Sequence, residues 1–158
     1  MKTTKQWFTE YNVSHRNSTN KLIHFICVPA IFFSVIALGL DLHFTFLDAY
    51  LPTFLQPFVS LGGLLILGGL LFYFQLSKPI FLFMLLAVVL CAYISLKLQQ
   101  AGINFEVALS IFVVAWIGQF IGHKIEGAKP SFFKDLQFLF VGPAWCVSFL
   151  YEKLGIRY

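Results

Sequence analysis

Five stretches of this chain contain no Asp, Glu, Lys or Arg: residues 22–40, 49–77, 79–96, 107–123 and 136–151. A helix needs roughly 20 apolar residues, with a range of about 17–25, to cross a hydrocarbon core about 30 Å thick. Four of the stretches reach that length and the last is marginal. None shows the period-2 alternation of a barrel strand, so the backbone can be satisfied in lipid only as helix. Only 11% of the residues are charged, against about 25% in soluble domains. The 20 phenylalanines exceed what one small soluble core can hide. The expected fold is an all-α integral membrane protein of about five apolar helices, four spans plus a fifth or re-entrant segment.

The chain reads as a single membrane domain over 1–158, with an N-terminal interfacial segment at 1–17 and a helical bundle at 18–153. Residues 3–14, TTKQWFTEYNVS, predict a short helix capped by Thr3 or Thr4. Its Trp7, Phe8 and Tyr11 share a face suited to the membrane interface. Spans are expected near 18–40, 56–76, 80–98 and 104–124, with a final segment at 136–151. Pro29 is expected to kink the first span, and Pro143 falls in the middle of the last segment. Gly62, Gly63, Gly68 and Gly69 allow close helix approach. Twenty-one mostly polar residues precede the first apolar run and no small-residue cleavage site follows it, so that run is expected to remain as an anchor. Cys27, Cys91 and Cys146 lie singly inside apolar runs and read as buried thiols.

Lysine and arginine set the orientation. With five spans, one side receives Lys2, Lys5, Arg16, Lys21, Lys78, Lys124, Lys129 and Lys134, and the other receives Lys97, Lys153 and Arg157. The bias places the N-terminus in the cytoplasm. The formal charge of +4 thus reports topology rather than a nucleic-acid partner. No retrieval signal ends the chain at LGIRY, which favours a bacterial inner membrane, or the endoplasmic reticulum membrane in a eukaryote.

Topology then sorts the histidines. His15 and His24 lie at the cytoplasmic start of the first span and His123 at the cytoplasmic end of the fourth. His43 lies past the far end, about 28 Å of helix from His24. Asn20 and His24 share one helical face, which Asn17 extends at the cap. Trp116, Gln119, His123 and Glu126 form a second stripe. Polar groups at membrane depth are costly and need partners; each stripe is the other's natural partner. Three imidazoles with Glu126 suit a transition metal better than Mg²⁺ or Ca²⁺. Iron(II), zinc, copper and manganese all remain physically open. Asn17, Asn20 and Gln119 are placed to orient ring nitrogens or hold substrate. The plainer readings stand alongside: interfacial histidines, Asn17 and Asn20 as helix caps, Glu126 as a surface acid.

Two blocks carry a family resemblance: YNVSHRNSTNKLIHFICVP at 11–29 and WIGQFIGHKIEGAKPSFFKDLQFLFVGP at 116–143. With the five apolar runs, they resemble the fungal endoplasmic-reticulum 2-hydroxy fatty acid dioxygenases and their bacterial relatives, formerly a domain of unknown function. The resemblance implies an Fe(II)-dependent oxygenase that uses O₂ to shorten a 2-hydroxy fatty acid by one carbon. It implies catalytic, metal-binding roles for His15, His24 and His123. The family's connector often reads FEGRAPAL where this chain has IEGAKPSF, so the acid at Glu126 is kept. Two other readings are a b-type haem protein with His24 and His123 as axial ligands, and a non-catalytic lipid-binding or scaffold protein.

Overall fold

The computed structural model describes residues 2–127 and 138–158. Lys129, Lys134 and the first two positions of the expected last segment, Leu136 and Gln137, lie outside them. Among the described residues six helices follow in order: α1 Thr4–Asn12, α2 Ser18–Asp41, α3 Leu61–Leu76, α4 Lys78–Gln100, α5 Asn104–Glu126 and α6 Val141–Lys153. Two short 3-10 turns, Thr45–Tyr50 and Gln56–Phe58, fill the α2–α3 connection. No strand forms among the described residues.

Among the described residues three helices, α2, α4 and α5, are long and apolar enough to cross a membrane. The second expected span is shorter than its apolar run. Pro57 lies in a 3-10 turn and Ser60 caps the helix by accepting the Gly63 N–H, so α3 starts at Leu61. Its 16 residues make about 24 Å at 1.5 Å per residue. At the other end no loop is needed: Ser77 closes α3 and caps α4.

The last apolar segment is a packed helix rather than a full span. α6 has 13 residues, and Val141, Ala144, Trp145, Val147, Ser148 and Tyr151 are buried. Pro143 sits in its first turn, not its middle. There a missing N–H removes no helical bond.

α2 is the central element and packs on α3, α4, α5 and α6. It continues through Pro29. Its crossing with α3 is backbone on backbone: a Cβ on Gly62 would stand 2.5 Å from the Leu40 nitrogen. At this end Asp41 ties three helices, accepting from Gln99 at 2.7 Å and from Asn104 at 2.8 Å. Leu64, Leu67 and Leu71 of α3 and Leu82, Leu86 and Leu90 of α4 point outward, exposed. Soluble monomers rarely show so continuous an apolar face; lipid is the solvent that suits it.

α1 forms where expected, capped by Thr3 in a capping box with Gln6. Its aromatic face turns to the protein rather than to lipid. Phe8 and Tyr11 are buried, and Tyr11 packs on Phe138 and Trp145. The Trp145 Nε1–H donates to Asn12 at 2.8 Å, which fixes α1 against α6. The turn after α1 is thereby held over the bundle.

Candidate metal centre

His15 lies in the turn between α1 and α2 and is 3% exposed. Its ring stacks on Tyr11, 4.1 Å between centroids and 3° from parallel. His15 Nδ1 meets the Tyr11 carbonyl at 2.6 Å. A carbonyl only accepts, so Nδ1 carries the proton and Nε2 presents a lone pair. That Nε2 is buried with no hydrogen-bond partner among the described residues. His24 makes the same kind of bond about two turns into α2, its Nδ1 donating to the Asn20 carbonyl at 2.9 Å. His123 comes from the last turn of α5, buried, with its Nδ1 lacking a hydrogen-bond partner among the described residues. Burial pushes the His15 imidazole down to about 4, against the opposing pull of the Tyr11 carbonyl, and the His123 ring adds to the depression.

The three rings converge. Centroids are 4.3 Å apart for His15 and His24, 5.0 Å for His24 and His123, and 5.7 Å for His15 and His123. One ligand nitrogen from each lies within 4.8 Å of the others. Nitrogens bound to one ion at about 2.1 Å stand at most about 4.2 Å apart, so small side-chain rotations close the set. Two orphaned buried nitrogens are costly, at about 1–3 kcal/mol each. An ion that accepts their lone pairs removes that cost. Three neutral imidazoles suit iron, zinc or copper, with coordination positions left for substrate. The residues therefore fit the expected metal.

α5 reaches α2 through small residues. A Cβ on Gly118 would stand 2.6 Å from Cys27 Sγ, and one on Gly122 would strike Asn20 Oδ1 and lie 3.3 Å from the His24 ring. Gly118 and Gly122 form a small-xxx-small stripe that sets His123 beside His24. Cys27 faces this stripe and does not join the ligand set.

Glu126 does not join it either. Its carboxylate accepts the backbone N–H of Arg16 at 2.8 Å, that of Asn17 at 2.9 Å and the Asn20 side-chain amide at 2.9 Å. It holds the turn that carries His15. Asn17 is the cap of α2, accepting from Thr19 and Asn20. Asn20 is fully buried and also donates to the Ser14 carbonyl at 3.2 Å, bracing the same turn. His43 stands apart, paired with Asp48 at 2.8 Å.

The trio forms one end of a cleft walled by Tyr11, Val28, Ile31, Trp116, Gln119 and Leu139. Gln119 and the Trp116 indole N–H add polar groups to that wall besides the histidines and Tyr11. Sequence reasoning gave Tyr11 and Trp145 no part in the site, although Tyr11 falls four residues before His15. It also passed over the glycine stripe.

The family described as Mpo1-like, 2-hydroxy-palmitic acid dioxygenase Mpo1-like, matches residues 1–154. The chain belongs to the Mpo1-like family. The 2-hydroxy-palmitic acid dioxygenase MPO1 of Saccharomyces cerevisiae is 32% identical over 149 residues, covering 92% of this chain and 78% of the yeast protein. No solved structure matches the chain. The Mpo1-like match spans both histidine blocks, so the converging trio lies inside the region that defines the family.

Proposed function

We propose that this chain is an Fe(II)-dependent dioxygenase that cleaves 2-hydroxy fatty acids to the acid one carbon shorter, with O₂ as oxidant. One observation carries the reading: three buried histidines, two of them with an orphaned nitrogen, converge at the head of a cleft whose remaining walls are mostly apolar. An amphiphile with a chelating head and an aliphatic chain matches that division.

His15, His24 and His123 would hold the iron. Bound there, Fe(II) supplies a redox-active Lewis acid with free positions that orient substrate and oxygen together. The carbonyls of Tyr11 and Asn20 keep a proton on Nδ1 of His15 and His24, which fixes the tautomer and ring orientation. Gln119, whose side chain hydrogen-bonds the His24 ring, would steady that ligand and turn to the substrate's carboxylate or hydroxyl when it binds. Val28, Ile31, Trp116 and Leu139 shield the head from water and take the first methylenes. The lysine and arginine bias puts this end of the bundle at the cytoplasmic face.

The haem reading fits less well. His24 and His123 rings meet edge to face at 5.0 Å, which is ring-contact distance and leaves no room for a macrocycle between them. A purely structural role gives no reason for the buried orphan nitrogens. The test is O₂ uptake by anaerobically purified protein reconstituted with Fe(II). Uptake with 2-hydroxypalmitate, and a product one carbon shorter, is the expected result. Tight zinc with no uptake after iron reconstitution would sink the proposal.

A further inference from the structure

Beyond the histidine cleft lies a second, narrow apolar slot, walled by Phe32, Ile36, Leu65, Gly69, Tyr73 and Phe140. The two spaces share Leu139 as a common wall. α2 runs beside both, and His24 to Ile36 is about 18 Å along its axis at 1.5 Å per residue. One leaflet is half of the roughly 30 Å hydrocarbon core, or about 15 Å, so the combined path is as deep as a membrane lipid's chain is long. The one hydroxyl in the slot is already used: Tyr73 donates to the Phe140 carbonyl at 2.9 Å.

We infer that this slot is the acyl-tail site, that Leu139 marks the passage into it, and that the absent side chain at Gly69 sets how long a chain it accepts. The inference rests on the dioxygenase reading for the identity of the head. A Cβ at Gly69 would stand 3.0 and 3.3 Å from the Phe140 ring and 3.8 Å from Tyr73, so a larger residue there presses the Phe140 ring into the slot. Its neighbour Gly68 would meet nothing within 4 Å among the described residues. Adjacent positions on one helix thus supply a probe and its control.

The experiment measures KM and kcat of the iron-loaded enzyme for 2-hydroxy acids from octanoate to stearate. Binding of the same acids is measured separately, by displacement of a fluorescent fatty acid. Gly69→Val raises KM for 2-hydroxypalmitate by roughly tenfold or more, since each methylene in an apolar pocket is worth about tenfold or above. It leaves kcat and the octanoate analogue nearly unchanged. Gly68→Val changes neither. Adding Phe140→Ala to Gly69→Val restores the long-chain preference. Should Gly69→Val fail to fold, Gly69→Ala and Leu139→Phe narrow the same path. An unchanged chain-length profile in a narrowed variant, with the wild type active, overturns the tail site. Length-dependent binding that Gly69→Val shortens, without any turnover, overturns the dioxygenase reading and leaves the tail site standing. A wild type that neither binds nor turns over any of the acids overturns both.

Discussion

The Glu126 carboxylate accepts the Arg16 backbone N–H at 2.8 Å, joining residues 110 positions apart. It takes the Asn17 N–H and the Asn20 amide as well. The end of α5 is thereby latched to the turn that presents His15, and the acid acts on the metal site through that turn. Glu126→Gln keeps the shape but turns one carboxylate oxygen into an N–H₂ that faces one or two of the three donors. Iron affinity should fall about 10–100-fold, the usual loss for groups that orient metal ligands, while saturating iron still binds one per chain. Iron titration followed by metal quantification reads both. If Glu126→Gln abolishes binding as completely as His24→Ala does, Glu126 is a ligand and the latch account is wrong.

The four histidines divide three to one. Alanine at His15, His24 or His123 should remove stoichiometric metal and activity together. His43→Ala should leave both intact, because His43 answers to Asp48 at the opposite end of α2. Metal content of the four variants, purified side by side, checks this. A His43 variant that loses iron would mean that the site has been placed at the wrong end.

The bundle and the histidine cluster were largely legible in the sequence. Charge-free runs mark helices because lipid allows little else, and topology alone separates His43 from the other three. The lengths of α3 and α6 were not legible, because Pro57 and Pro143 sit in runs whose hydropathy does not change where the helix begins. Glu126 was ambiguous for a different reason. Spacing on α5 puts its carboxylate near His123 but says nothing of the Arg16 and Asn17 N–H groups, which arrive from another part of the chain. Tyr11 was read as an interfacial aromatic, since only the tertiary fold brings α6 and Trp145 over its ring.

Gly122 lies where α5 touches α2. A Cβ there meets Asn20 Oδ1 and the His24 ring, and neither can retreat from a packed centre. Gly122→Val should therefore cost about 1–3 kcal/mol, as overpacking does, and lower iron occupancy as His123 is pushed from His24. Gly127→Ala, beyond the helix end, meets no neighbour within 4 Å among the described residues; its cost comes from the positive φ of 73°, and iron occupancy should be kept. Thermal unfolding in detergent with metal analysis separates the two. Full iron in Gly122→Val would show that the close approach is not needed for the site.

His15 gives the chain a pH dependence whose sign is fixed by its burial. Its pKa falls from the ordinary 6.5 to about 4 in the folded protein, chiefly through desolvation. Between those values the unfolded chain binds a proton that the folded chain refuses. Stability contributed by the neutral ring is complete above about 6.5 and is lost as the pH falls towards about 4. At about 1.4 kcal/mol per pH unit the loss reaches roughly 3 kcal/mol. Iron needs the same neutral imidazole, so its affinity should fall over the same interval. Other groups titrate there too, so the measurement is a difference: unfolding of wild type and His15→Gln across the interval, each with chelator present. The wild type should show the steeper decline, and adding Fe(II) should steepen it further only in the wild type. Parallel slopes for the two proteins would mean that His15 is already charged or exposed when folded, and the orphaned Nε2 on which the metal site rests would lose its basis.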